Sequence, residues 1–448
     1  MSRTHLYRER VPSFCFAIYL VLLLALLQHK PLWLDEIIQQ LHTRSVPFQE
    51  MLIGSRNPGA SFLPDFFQWL VLRAGYTRGL SRLPAFLFGA GSTVLFWKLA
   101  RRVNVKYPLA ATMAFALLPI NVRYTTEARP YSQALFFGLW ALLLILEIAE
   151  RPSKRLSAGL LLVTTAGLYS QPFVIFPIVA AALSLTLSAQ HRRLWLPMIV
   201  PLIGACLLFV PWWLTAVRTW NGAPGSEMAN AGSTVFDGKL VLRVLREITG
   251  GGYAVGVLLM LAAIIAVLQT GRYARVFAAS ALLALALAMI AEDRLHYYFA
   301  ARHLMFSVPL LLLASAFALQ DNSLPARRFA FTLWAGLLVG SAMTVIRAVA
   351  RPAENWELVA ARLMALQKSG SCISSVVSGD LRYFRFFEPE LRNRSCTDQG
   401  ASKIALVADP YAPERARTDV AKQFADAGWR QTRGEAIGDF AVLEFQRD

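Results

Sequence analysis

Long apolar runs recur along the chain from near its start to about residue 347 and then stop. Read as segments of about 17–25 residues, the length that crosses roughly 30 Å of hydrocarbon, they predict spans at 12–29, 83–100, 107–123, 131–149, 156–170, 173–190, 195–214, 252–270, 276–291, 304–320 and 329–347. A further stretch, 60–75, is apolar but contains Asp65 and Arg73. It reads as an interfacial helix within a long external loop, 30–82. From about residue 351 the pattern becomes that of a soluble domain. Trp356, Val359, Leu363 and Leu366 recur at helical spacing up to Gly370, and Cys372–Ser378 and Lys403–Ala408 read as short buried strands. A helix near 416–427 and a strand near 438–446 complete a small α/β unit. The expected architecture is a polytopic α-helical membrane protein of about eleven transmembrane helices, residues 1–350, followed by a small C-terminal α/β extracytoplasmic domain, 351–448.

Composition agrees with that reading: 56% of the 448 residues are hydrophobic, 16% are charged and the mean hydropathy is +0.45, which excludes an ordinary soluble domain and a disordered chain. The formal charge of +17 would point to nucleic acid in a soluble protein, but here it has an address. Residues 351–448 are neutral, with 14 basic and 14 acidic side chains, so the whole excess lies in 1–350. Alternating the spans from a cytoplasmic N-terminus puts Arg3, Arg8, Arg10 and the loop clusters Arg101/Arg102/Lys106, Arg151/Lys154/Arg155, Arg192/Arg193, Arg272/Arg275 and Arg327/Arg328 on one side, as the positive-inside rule requires. Counting 60–75 as a span would put every later cluster outside. The expected location is therefore a bacterial inner (plasma) membrane, multi-pass, with a cytoplasmic N-terminus, a periplasmic C-terminal domain and no nucleic-acid partner. Of four cysteines, Cys15 and Cys206 fall in spans, while Cys372 and Cys396 fall in the external domain, where they are free thiols or a disulfide closing a loop of about 23 residues.

Polar chemistry gathers on the external side. Leu32-Trp33-Leu34-Asp35-Glu36 follows the first span. Two carboxylates there suit general-base work on a hydroxyl, or they simply favour the positive end of a following helix. Arg123-Tyr124-Thr125-Thr126-Glu127-Ala128-Arg129-Pro130-Tyr131 lies between two spans. Its external arginines suit an anionic phosphate, or Glu127 pairs with them while Pro130 starts the next helix. Arg56 precedes Asn57-Pro58-Gly59, and Arg73, Arg78 and Arg82 follow, all compatible with headgroup contact or with a lipid phosphate entering from the bilayer. Asp293-Arg294-Leu295-His296-Tyr297-Tyr298 and Arg302-His303 mix cations, imidazoles and rings, as a phosphate and sugar site or an interfacial aromatic belt would. Loop 215–251 carries Arg218, Trp220, Lys239, Arg243 and Arg246, and its Gly/Ala/Ser-rich part, 221–234, suits a cover over a site. No phosphate-binding Gly loop, Ser elbow or His/Cys metal constellation is present in the sequence, so no cofactor is expected and a divalent metal is not indicated.

Four motifs in this order resemble the GT-C membrane glycosyltransferases of the protein O-mannosyltransferase type, which include bacterial lipid A aminoarabinose transferases. They are Trp33-Leu34-Asp35-Glu36, Arg82-Leu83-Pro84-Ala85-Phe86-Leu87-Phe88-Gly89 leading to Ala100-Arg101-Arg102, Glu127-Ala128-Arg129-Pro130-Tyr131, and Ala301-Arg302-His303. The resemblance implies an enzyme that takes a sugar from a polyprenyl-phosphate carrier and transfers it, with inversion, to a lipid, glycan or protein acceptor on the external face. It assigns the catalytic base to Asp35, supported by Glu36. Donor-phosphate cations are then Arg129 first and Arg302 second, with Arg56 and Arg123 as further candidates, and Glu127, Tyr131, His303 and Tyr297 as substrate contacts. The chain departs from the pattern at Asn57-Pro58-Gly59, where family members often carry His-Pro-Pro or Lys-Pro. Two other readings stay in view: a polymerase or ligase moving a whole lipid-linked glycan, and a transporter or flippase, whose site would lie near the membrane midplane.

Overall fold

The computed structural model describes residues 3–56, 60–186, 195–221, 249–250, 252–268, 272–295, 301–320, 324–350, 354–376, 381–392, 396, 402–408 and 414–447. The chain divides into two compact units, Met1–Gln28 with His42–Ile346, and His29–Leu41 with Arg347–Asp448.

The larger unit is helical. Its elements in chain order are α1 (Arg3–His29), the end of α2 (Leu34–Thr43), α3 (Phe48–Gly54), α4 (Phe62–Val71), α5 (Arg78–Arg102), α6 (Pro108–Leu117), α7 (Pro119–Thr125), α8 (Tyr131–Glu150), α9 (Lys154–Ser170), α10 (Ile175–Thr186), α11 (Trp195–Asn221), α12 (Gly252–Leu268), α13 (Arg272–Leu295), α14 (Val308–Ala316) and α15 (Leu324–Ala350). Among the described residues, stretches of α5, α8, α11 and α15 are each long and apolar enough to cross a membrane alone, and shorter apolar helices fill much of the rest. Outward-facing side chains such as Leu196, Leu207, Val339 and Ile346 are exposed, as lipid-facing positions are.

The expected span 107–123 is broken in two, and proline explains the break. Pro119 has no N–H to donate, and Leu118 before it is forced out of the helical region, to φ −55° and ψ 129°. Asn121 Nδ2 donates to the carbonyl of Phe115 at 2.6 Å, so the disturbed helix end keeps a partner. The short α7 then points the Arg123–Tyr131 segment back into the bundle. A methyl group at Gly89 of α5 would overlap the Thr125 side chain, so the glycine lets α7 approach. Arg82 of the same α5 motif is completely buried and donates from Nη1 to the Leu27 carbonyl at 2.8 Å, satisfying the end of α1. That role replaces the headgroup contact expected of it.

In the smaller unit α16 (Trp356–Lys368) packs on a four-stranded sheet of β1 (Cys372–Ser375), β2 (Lys403–Ala408), β3 (Arg430–Ile437) and β4 (Phe440–Gln446), and α17 (Glu414–Asp426) connects β2 to β3. The strand order is β1-β2-β4-β3, with β1 and β2 parallel and the other pairs antiparallel. Strand β3 was not expected from the sequence. It is a charged, largely exposed edge strand, so no buried alternation marks it. Gly438, at φ +60°, supplies the first position of the tight turn into β4. Trp356 is 1% exposed and packs its ring 4.8 Å from Phe440 and 5.0 Å from Phe384, and Leu32 and Ile37 enter the same core. The segment after the first span is thus folded with the small unit. Cys372 and Cys396 form a disulfide.

Candidate active site

The acidic pair opens α2. Trp33 is the residue before the helix, Asp35 and Glu36 lie in its first turn, and the apolar side chains Leu32 and Ile37 anchor it in the core of the small unit. Glu36 is completely buried and reaches back to the Trp33 amide at 3.5 Å, the return contact of a capping box. Glu354 fixes the same turn from the other side of this core. One carboxylate oxygen accepts from the Leu34 amide at 3.0 Å and from Trp356 Nε1 at 2.8 Å. Asp35 is left half-buried at the surface of the turn. Glu36 thus lies against the start of the helical turn that carries Asp35.

The cationic cluster belongs to the larger unit. From Leu118 to Leu135 every residue except Arg123 is buried, including Asn121, Thr125, Thr126, Glu127, Arg129, Ser132 and Gln133. Such a density of buried polar groups is costly unless each is engaged. Glu127, 2% exposed, holds Arg123 Nε at 3.2 Å from both carboxylate oxygens. Arg129 is 7% exposed, with its guanidinium 5.9 Å from the Tyr131 ring. Tyr131 is the hub: its ring lies 4.2 Å from Tyr124 and 6.0 Å from His303, and His303 in turn lies 4.6 Å from Phe173. The structure thus brings Arg123, Glu127, Arg129, Tyr131 and His303 into one neighbourhood. Arg302 follows Ala301 in a 3-10 stretch, Ala301–Ser307, and adjoins His303 in sequence. Arg56 is half-buried in the turn after α3, with its Nε enclosed and no acceptor for it among the described residues. Tyr297 and His296 lie outside the described residues, as does 222–248, most of the expected covering loop, while Arg218 ends α11.

Asp65, on α4 outside the spanning helices, was not singled out as a site residue in the sequence. It is 1% exposed, and burial pushes its carboxyl up to about 7, against the opposing pull of a hydrogen bond with Ser55 and the charge of Arg129. The available signal was an acidic residue inside an apolar helical pattern. Helix α4 is fixed by Gln68, which accepts from Thr43 Oγ at 2.8 Å and donates to the Ser81 carbonyl at 3.1 Å. Its first residue, Phe62, lies 5.3 Å from the Trp212 ring, tilted, and 6.1 Å from that of Tyr169, edge-on, bordering an aromatic cleft with Ser55, Ser61, Phe209 and Trp213. Among the described residues no three His, Cys, Asp or Glu side chains converge as metal ligands would.

Comparison with known proteins agrees with this architecture. Residues 59–214 match the family model described as dolichyl-phosphate-mannose-protein mannosyltransferase, a stretch that contains α4, α5 and the whole cationic cluster except His303 and Arg302. Over that stretch the chain is similar to a family of membrane glycosyltransferases, and its apolar helices are those of a membrane protein. The particular protein whose fold it shares is ArnT from Cupriavidus metallidurans. The apo crystal structure aligns with a TM-score of 0.56 at 12% identity, covering 97% of each chain. The structure of the same protein bound to undecaprenyl phosphate aligns with a TM-score of 0.58 at 12% identity, again over 97% of each chain. No curated protein sequence matches significantly.

Proposed function

We propose that the chain transfers a sugar from a polyprenyl-phosphate carrier to a lipid, glycan or protein acceptor, with inversion, at the external face of a bacterial inner membrane. The N-terminus is cytoplasmic and the small unit external in this reading. The observation that carries it is Arg129, a permanent cation 7% exposed in the interior of a membrane domain that matches a lipid-phosphate-sugar transferase model. Undecaprenyl phosphate bound to ArnT supports the same class of donor.

The Asp35 carboxylate accepts the acceptor hydroxyl proton while the oxygen bonds to the anomeric carbon and the carbon–oxygen bond to the carrier phosphate breaks. A placed base contributes about 10²–10⁴ in rate. The lipid phosphate leaves as an anion, and Arg129, with Arg302 second, stabilises the charge that grows on it, by about 3–4 kcal/mol for one well-aimed donor. Arg56 supplies a further cation in place of the basic residue absent at Asn57. Glu127 orients Arg123, and Tyr131, His303 and Tyr297 line the sugar.

Membranes carrying wild-type protein, Asp35→Asn or Arg129→Gln, supplied with a carrier bearing one sugar, test the assignment. Asp35→Asn is expected to lower kcat by about 10²–10⁴ with donor KM near wild type. Arg129→Gln is expected to lower kcat/KM for donor by about 10²–10³. Wild-type turnover in folded Asp35→Asn overturns the base, and equal loss of donor and acceptor use in Arg129→Gln overturns the phosphate role. Failure to use any single-sugar carrier favours a ligase of whole lipid-linked glycans.

A further inference from the structure

A second cavity runs along α5 and α8 away from the cationic cluster, from a near end at Gly91 and Phe136 to a charged end at Arg102 and Glu147. It is a groove of about 640 Å³ between the two helices, lined by Gly91, Val94, Leu95, Phe136, Trp140, Leu143 and Leu144, and closed at one end by Lys98, Arg102 and Glu147. Its volume falls in the roughly 300–1,000 Å³ range of small-ligand sites. At its near end Gly91 lets the Phe136 ring lie close on α5, since a methyl there would sit 2.7 Å from that ring.

Three observations identify what fits it. The helices run side by side in the same direction, and eleven residues separate Gly91 from Arg102 and Phe136 from Glu147, so the groove is about 16 Å long, close to one leaflet of hydrocarbon. Its charged end is at a membrane boundary by its own chemistry. Arg101 lies over the Trp97 ring at 5.7 Å and Lys106 over Tyr107 at 5.7 Å, the cation-and-aromatic belt of an interface. The charges there are also unevenly matched. Arg102 is taken by Glu150 at 2.7 Å and Glu147 at 3.5 Å, whereas exposed Lys98 has no carboxylate within ion-pair distance among the described residues.

We infer that this groove is a binding site for one anionic glycerophospholipid of the bilayer leaflet at the Arg101/Arg102 end, its phosphate on Lys98 and one acyl chain along Val94, Phe136 and Trp140. The site is separate from the reaction and does not depend on which sugar or acceptor is used. Lys98 gives the preference for an anionic headgroup, while Trp140, 41% exposed, offers an indole at the side of the chain.

Native mass spectrometry of the delipidated full-length protein, titrated with phosphatidylglycerol or with phosphatidylcholine of the same chains, tests it. One phosphatidylglycerol is expected to bind, with phosphatidylcholine weaker. Lys98→Gln should weaken phosphatidylglycerol about fivefold, the loss expected of one cation near an anionic lipid surface. Lys98→Arg should restore it, and Val94→Trp, which fills the groove from its lipid-facing side, should abolish it. Equal binding of the two lipids, or unchanged retention in Lys98→Gln and Val94→Trp, overturns the inference. So does stoichiometric displacement of the bound lipid by undecaprenyl phosphate, which would make the groove a carrier site.

Discussion

The two units bury their carboxylates by different means. In the small unit, Glu36 and Glu354 are given backbone amides and an indole N–H, so both stay anchored to one helical turn. In the transmembrane unit, Glu127 is given a guanidinium, and Asp65 is held near neutrality by burial, which outweighs Ser55 and Arg129. Amide partners fix the geometry of the turn that carries Asp35 without adding a counter-charge. A cationic partner or a retained proton instead balances the buried charge itself. The contrast teaches that adjacent acidic residues need not share a role: Asp35 and Glu36 are neighbours in sequence, yet one is half-buried and the other is sealed into its own helix start.

The transmembrane side of this contrast breaks first under pH. Asp65 keeps its proton in the folded protein up to about 7, whereas an unfolded chain loses it near the ordinary aspartate value of 3.8. Between those values the folded state holds more protons, so its stability falls as pH rises through the window, by about 4 kcal/mol in total. Thermal unfolding of the solubilised protein should therefore move to lower temperature between pH 5 and pH 8. Asp65→Asn, which cannot ionise, should remove most of that decline. An identical pH slope in the variant would show that Asp65 is not the group responsible.

The small unit breaks under reduction instead. Its disulfide Cys372–Cys396, with a separation of 24 residues, ties the start of β1 to the segment before β2. Chain-entropy reasoning assigns such a loop about 3 kcal/mol. Cys372→Ser, or a reductant, should expose the Trp356 core to proteolysis while leaving helicity measured by far-UV circular dichroism nearly unchanged. A cooperative loss of the whole helical signal would contradict the division into two units.

Much of this was legible in the sequence. The long helices follow from apolar runs, since a membrane rewards uninterrupted hydrophobicity, and α8 ends within a residue of its expected bound. The motif Arg82–Gly89 was legible as a motif but not in its physical role, because burial of Arg82 and the approach of Thr125 to Gly89 are relations between elements distant along the chain. Strand β3 was missed because an exposed edge strand carries no hydrophobic alternation. Asp65 stands in the sequence only as a charged residue inside the apolar stretch 60–75. Its partners Ser55 and Arg129 are brought to it by tertiary packing, and nothing in the residues around it names them.

The smallest expected effect is also the one that discriminates most sharply within α2. Glu36→Gln keeps the length and acceptor oxygen that reach the Trp33 amide, so the turn survives; it removes only the charge on a contact of 3.5 Å. The cost should be about 1 kcal/mol of stability. Turnover should fall less than tenfold, because the variant disturbs the aim of Asp35 without touching the proton it accepts. Measured beside Asp35→Asn in the same membranes, this sets a ratio of at least ten between two adjacent carboxylates. A Glu36→Gln loss as large as that of Asp35→Asn would transfer the base to Glu36, and the buried capping contact would then describe a resting arrangement that opens when the acceptor arrives.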